Sequence, residues 1–172
     1  FSGMKMFAKW RNCQGTLFGK DGSKYIGEFQ GGKFSGQGTY TYNNGAVYKG
    51  GFKRGKQEGY GTYKFANGDV YVGEFKSDSF HGEGTFTNHL GGKYKGEFAQ
   101  GVYNGQGTFT FPDGRENSGT WKNGLLDGQV SIFLEGGGKY FGLYKYGERN
   151  GQGSWTKADG TIEEGIWKNG EL

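Results

Sequence analysis

The sequence predicts an all-β protein: an elongated, single-layer antiparallel sheet of stacked 23-residue β-hairpins, forming a solenoid-like rod or curved ribbon. Three observations predict it. First, an aromatic-x-Gly-x-aromatic strand pattern begins at Tyr25, Tyr48, Tyr71 and Tyr94 and continues, altered, from Asn117, Tyr140 and Glu163, always 23 residues apart. A fixed period of roughly 20–50 residues marks units that bury their apolar faces by stacking on one another. Second, apolar and polar residues alternate within each unit, the period of a strand. Third, Asn44-Gly45, Asn67-Gly68, Asp113-Gly114 and Asp159-Gly160 recur at one place, dipeptides suited to tight turns with positive φ.

Along the chain, Phe1 to Trp10 is the least regular part. Phe1-Ser2-Gly3 imitates the strand pattern one residue out of phase, and the phase returns at Cys13-Gln14-Gly15-Thr16-Leu17. Residues 1–24 read as a degenerate first repeat, with Met4, Met6, Phe7 and Trp10 expected to fold over the sheet end as a cap. The chain begins at Phe1 rather than Met, so a fragment or processed product is expected. Six complete repeats span 25–162, starting at 25, 48, 71, 94, 117 and 140, and 163–172 is a C-terminal half repeat.

Each repeat divides into two short strands. Tyr25, Gly27 and Phe29 share one face, with Ile26 and Glu28 on the other; after a loop through Gly31 and Gly32, Gly38, Tyr40 and Tyr42 alternate with Thr39 and Thr41. Glycine on the aromatic face gives a cross-strand ring exposed backbone to cover. Interior glycines cost about 0.5–1 kcal/mol each relative to alanine; rings burying about 150–250 Å² apiece offset that. About 14 strands at ~4.8 Å spacing make a stack roughly 65 Å long.

Composition agrees with an ordered repeat. Hydrophobic residues are 32% and aromatics 18%, with 39 glycines and one proline. Low-complexity disordered chains share the glycine content but lack regularly placed rings. No apolar run approaches the ~18–20 residues of a membrane-spanning helix. Cys13 is the only cysteine, which excludes an internal disulfide, and it stands where later repeats have Gly36, Gly59 and Gly82. A small residue filling a repeat position is expected there, rather than a reactive thiol. Net charge is +4; residues 1–86 carry 12 basic and 7 acidic side chains, and residues 87–172 carry 9 and 10. That confines the basic character to the first half and argues against a nucleic-acid partner.

The pattern Tyr-x-Gly-x-Phe, six residues, Gly-x-Gly-Thr-aromatic, then a turn glycine resembles the MORN repeat (membrane occupation and recognition nexus), over about 150 residues from Cys13 onward. The resemblance implies a twisted antiparallel sheet with a groove along one face. It also implies non-catalytic work: scaffolding, binding of a partner peptide or helix, homodimerisation, and in some members contact with acidic phospholipids. MORN arrays also accompany lipid-kinase and methyltransferase domains, so a targeting module of a larger enzyme is an alternative context. The compartment is left open between cytoplasmic and membrane-peripheral.

Several repeats depart from the pattern. Asn117 replaces the leading Tyr and Val130 the second Gly of Gly128-Gln129-Val130, while Leu125, Leu126, Ile132, Phe133 and Leu134 add aliphatic surface. Local repacking is favoured there over a partner contact. Asn88 stands where relatives have Tyr42, Phe65 and Phe111. The last repeat has Glu163-Glu164 in place of Tyr-x; charges on a terminal strand discourage edge pairing, so an end cap is expected, with truncation before a further repeat as the alternative.

Nothing in the sequence assembles a catalytic centre, and no metal or cofactor is expected. His81 and His89 are read as solvated loop residues, two nitrogens without further ligand spacing. Ser77, Asp78 and His81 lack the strand-to-helix context of a nucleophile. The Gly-x-Gly pairs recur in every repeat without a following helix, which makes them structural. Glu28, Glu74 and Glu97 recur at one strand position and read as a solvated or cross-strand-paired row.

Two binding hypotheses follow. The first is a protein scaffold whose aromatic groove, with candidates Tyr25, Phe29, Tyr40, Tyr48, Phe52, Tyr63, Tyr71, Phe75, Phe86, Tyr94, Phe98 and Phe109, holds a peptide or amphipathic helix. Its specificity would come from loop residues such as Phe34, Phe80, Val102, Tyr103, Leu125 and Leu126, and end-to-end homodimers through the sheet edges belong to the same reading. The second is peripheral binding to acidic phospholipid through Lys33, Lys49, Lys53, Arg54, Lys56 and Lys76, at about 1 kcal/mol per charge near the surface.

Overall fold

The computed structural model describes residues Cys13–Leu172; the expected cap of Met4, Met6, Phe7 and Trp10 lies outside them. The chain divides into two compact units, Phe1–Phe80 and His81–Leu172. The first holds β1 (Cys13–Phe18), β2 (Lys24–Gln30), β3 (Lys33–Thr41), β4 (Val47–Lys53), β5 (Lys56–Lys64), β6 (Val70–Lys76) and the first two residues of β7 (Ser79–Thr87). The second continues β7 and adds β8 (Lys93–Ala99), β9 (Val102–Thr110), β10 (Glu116–Lys122), β11 (Leu125–Phe133), β12 (Lys139–Lys145), β13 (Glu148–Thr156) and β14 (Ile162–Trp167). Within each unit sheet order is chain order and every pairing is antiparallel. Among the described residues the sole helical element is a 3₁₀ turn, Glu135–Gly137. The all-β hairpin repeat expected from the sequence is the observed fold.

The turns differ from expectation. The two-residue turns join the strands of one repeat, between Gln30 and Lys33 and between Lys53 and Lys56. There Arg54 and Gly55 both have positive φ (55° and 89°), the geometry that continues the right-handed twist of a hairpin. The second strand consequently starts three residues earlier than the sequence suggested, at Lys33 rather than Gly36. Asn44-Gly45 sits in the wider connection to the next repeat. There the Tyr42 N–H donates to the Ala46 carbonyl (2.8 Å), and the Asn44 side-chain oxygen accepts the Ala46 N–H (3.0 Å). Only the glycine takes positive φ; the Asn acts through its side chain. Asp21, Asn67, Asp113 and Asp159 accept in the same way from residues two positions on.

Five of the short turns also bond to the preceding repeat. In unit one the Gly55 N–H donates to the Phe34 carbonyl (2.8 Å) and the Asp78 N–H to the Gln57 carbonyl (3.1 Å). In unit two Gly124 donates to Tyr103, Gly147 to Leu126 and Gly170 to Arg149.

In each unit the core is built on recurrent tyrosines, Tyr25, Tyr48 and Tyr71 in the first and Tyr94 and Tyr140 in the second. All five are at most 1% exposed. Each ring lies flat over the two glycines of its own hairpin: a Cβ on Gly38 would stand 2.5–2.7 Å from the Tyr25 phenol. The hydroxyls then donate to the carbonyl three residues on, Tyr25 to Glu28 (2.8 Å), Tyr48 to Gly51 (2.9 Å) and Tyr94 to Glu97 (3.1 Å). This satisfies the one polar atom that burial would otherwise orphan. Other rings close around these tyrosines. Tyr25 stacks on Phe34 at 3.9 Å and meets Phe29 and Phe52 edge-on, each at 5.1 Å. Tyr94 repeats the arrangement with Tyr103, Phe98 and Trp121. Such pairs contribute about 0.5–1.5 kcal/mol each beyond their buried area.

The recurrent glutamates have a structural role that sequence periodicity did not reveal. Between Gly27 and Glu28 the register slips, because β3 carries extra residues at a bulge through Gly36 and Gln37. The Glu28 carboxylate folds over that bulge and accepts the Gln37 N–H (2.8 Å); Glu97 does the same for Gln106 (2.7 Å). Gly36 (φ 58°) leaves room for it, since a Cβ would stand 2.3 Å from a Glu28 carboxylate oxygen. At the C-terminal edge, Glu163 pairs with Lys157 and Glu164 accepts from the Ser154 hydroxyl (3.0 Å), so both carboxylates engage β13 and its following turn.

Candidate functional site

In each unit the sheet has an aromatic face and an opposite face, and the groove candidates all lie on the aromatic one, where they differ in burial. Eight of the twelve groove candidates, Tyr25, Phe29, Tyr48, Phe52, Tyr71, Phe75, Tyr94 and Phe98, are buried core. Their rings are covered by other rings and offer a partner no surface. Tyr40, Tyr63, Phe86 and Phe109 stay half-buried on the same face.

In unit one the accessible part of this face is a continuous aromatic row. Tyr40 contacts Tyr42 (4.6 Å between centroids), Tyr42 contacts Tyr63 (5.6 Å), and Tyr63 contacts Phe65 (4.6 Å). Gln57, itself buried, fixes the row from below by donating from its amide to the Tyr42 hydroxyl (2.7 Å). Burial pushes the Tyr42 and Tyr63 phenols above their ordinary titration range. Tyr42 and Phe65 were read from the sequence as a recurrent aromatic position but were not among the groove candidates. The signal was present: they follow Tyr40 and Tyr63 by two residues, just past the ends of β3 and β5, in step with the strand alternation. In unit two the corresponding pair is Phe109 and Phe111 (4.9 Å).

The residues expected to set specificity from loops lie in strands. Phe34, Phe80 and Tyr103 stack on Tyr25, Tyr71 and Tyr94 at 3.9, 3.8 and 3.7 Å, and Leu126 is buried. Because the turns are only two residues long, these positions fall inside the sheet and become core. Val102 and Leu125 remain exposed. In repeat six the equivalent position is Arg149, whose guanidinium lies 4.2 Å from the Trp167 ring and 4.7 Å from Trp155. A planar cation thus takes the place of a stacked ring.

The stacked turns of unit one gather Lys33, Lys53, Arg54, Lys56 and Lys76 along one edge, all exposed. Lys49 is not among them; it projects from the middle of β4 on the face opposite the tyrosines. Two carboxylates share that edge: Glu58 accepts the Ser77 N–H (3.0 Å) and Asp78 the Gln57 N–H (2.7 Å). His81 lies within β7 rather than a loop, and His89 is exposed in the turn that follows. Cys13, in β1, is half-buried opposite Phe29.

The opposite face of unit two is shallowly concave and carries exposed apolar side chains, Phe141, Leu143 and Ile166, beside its polar ones. A trough of about 630 Å³ runs over β9, β10 and β11, lined by Gln106, Thr108, Ser118, Thr120, Gln129 and Ser131. Glu83 and Lys95 border it on one side and Phe141 on the other. Expectation had placed the groove on the aromatic face; in this unit the concavity lies behind it, over the short Ser118 and Thr120 side chains of β10.

The MORN repeat family description matches residues 25–47, 48–70, 71–88, 94–114, 118–129 and 140–162. No curated protein sequence matches the chain. Among solved structures, a point mutant of the TCP10 domain of Danio rerio CPAP aligns at 14% identity over 88% of this chain and 72% of that one, with a TM-score of 0.50. The TCP domain of Drosophila melanogaster SAS-4 (dCPAP), solved with a proline-rich motif of Ana2 (dSTIL), aligns at 16% identity over 90% of each chain, with a TM-score of 0.49. Likeness at these identities bears on the fold alone.

Proposed function

The chain belongs to the MORN-repeat family, and from that premise we propose that it is a non-catalytic scaffold that binds a protein segment on the aromatic row of unit one. The observation that carries this reading is the row Tyr40, Tyr42, Tyr63 and Phe65: half-buried rings set on a rigid file of fully buried tyrosines. Rigid aromatics bring large contact area at little entropic cost, which suits the apolar stripe of an amphipathic helix or an extended peptide. The test is affinity purification from the native source with wild type, Tyr40→Ser/Phe65→Ser and Lys53→Glu/Arg54→Glu. A partner retained by the charge variant and lost from the ring variant supports the reading. Partners indifferent to the ring change would overturn it.

A second reading rests on the stacked basic edge. Five cations on consecutive turns suit an acidic membrane surface, though Glu58 and Asp78 offset part of their charge. Co-sedimentation with phosphatidylserine vesicles at physiological salt, lost in Lys53→Glu/Arg54→Glu, is the expected result; binding only at low salt would discard it.

A further inference from the structure

The trough on the second face of unit two has a local cause. At the two central second-face positions of the first strand, repeats one, three and four carry Ile26 and Glu28, Val72 and Glu74, and Lys95 and Glu97. Repeat five carries Ser118 and Thr120 instead, and repeat six carries Phe141 and Leu143. The short side chains of β10 therefore lie between taller neighbours on β8 and β12. Core packing does not require this: repeat five compensates its altered core on the other face, where Val130 is buried. Nor does packing require Phe141, which is 63% exposed.

The chemistry of the lining selects a ligand class. Six lining side chains carry a hydroxyl or a carboxamide, and Gln106 donates from its amide to the Thr120 hydroxyl (3.0 Å), fixing two of them in place. The charged border residues are one acid and one base, Glu83 and Lys95. An anionic ligand such as nucleic acid would need several unopposed cations. An amphipathic helix would need a stripe of apolar anchors along the trough; inside the lining only Phe141 offers one, and the exposed Leu143 and Ile166 lie outside it. Neutral donors and acceptors beside one exposed aromatic surface suit a ligand with many hydroxyls and a flat C–H face. The volume lies within the ~300–1,000 Å³ of ordinary ligand sites.

We propose that this trough binds a neutral oligosaccharide lying across β9, β10 and β11, with one sugar ring stacked on Phe141. The site is separate from the aromatic row and does not depend on the scaffold reading.

Calorimetric titration of the whole chain with cello-, laminari-, chito- and malto-hexaose tests it, with a sulfated heparin hexamer as the charged control. One neutral series should bind with a Kd of about 1 mM or tighter. Phe141→Ala should weaken it roughly tenfold or more, and Ser118→Trp, which fills the trough, should abolish it. Both variants should unfold at the wild-type temperature, and in wild type the Thr120 and Gln129 amide resonances should shift on titration. Failure of all four series at ~5 mM overturns the proposal. So does binding that survives both substitutions, or preference for the sulfated control.

Discussion

Tyr94 lies so close over Gly107 that a Cβ on the glycine would stand 2.2 Å from the phenol oxygen. One repeat later the same two positions hold Asn117 and Val130, and Val130 is 1% exposed. Ring plus glycine has been exchanged for short amide plus branched aliphatic. The exchange is incomplete in one respect: the Asn117 side-chain oxygen is buried without a hydrogen-bond partner.

Gly107→Ala should therefore destabilise by about 1–3 kcal/mol, the usual cost of forcing an extra carbon into a filled core. Asn117→Tyr and Val130→Gly should each destabilise alone, the first by overcrowding and the second by a void. Together they should cost less than their sum, with a coupling of ~1–3 kcal/mol. Urea unfolding of the four-member cycle measures it; strict additivity would mean the two side chains do not share one space.

Tyr71→Ala or Phe75→Ala should cost about 3–5 kcal/mol, because both rings are buried, at 0% and 3% exposure. Lys53→Glu/Arg54→Glu should leave the unfolding midpoint nearly unchanged. A harmless Tyr71 substitution would contradict the recurrent tyrosines as core.

Removing the carboxylate that covers a bulge is a separate test of the glutamate role. Glu97→Ala should cost about 0.5–1.5 kcal/mol by freeing the Gln106 N–H, with Glu97→Gln recovering part of the loss. Equal behaviour of Ala and Gln, both at wild-type stability, would return this residue to a merely solvated row.

Alkaline pH should unfold the protein through the same tyrosines. Burial, then the nearby Glu28 charge, pushes the Tyr25 phenol from 10.0 up to about 12, and burial raises Tyr48 and Tyr94 as well. A proton held more tightly in the folded state stabilises it fully below pH ~10, and that stabilisation is lost as pH rises through ~12. Tyrosinate absorbance followed together with circular dichroism should show the buried phenols ionising in step with loss of sheet. Their full ionisation at pH ~10 with the sheet intact would show they are not enclosed.

The fold was legible in the sequence because a strict 23-residue period lets each repeat vote for the same answer. The strand alternation, the tyrosine-over-glycine logic and the family were all readable from residue types and spacing. The register was not. Where the sequence suggested a loop through Gly31 and Gly32, the chain turns in two residues and then absorbs a bulge at Gly36 and Gln37, which moves Phe34 from loop to core. A turn with positive φ at Arg54 or at Ser77 and Asp78 leaves little compositional mark.

The surface belongs to tertiary structure for a related reason. Spacing shows which rings share a face, and Tyr25 and Tyr40 do share one. Only the packed sheet decides that Tyr25 is sealed by Phe29, Phe34 and Phe52 while Tyr40 keeps accessible area. Burial is a sum over neighbours from adjacent repeats, and a one-dimensional pattern fixes direction without fixing that sum.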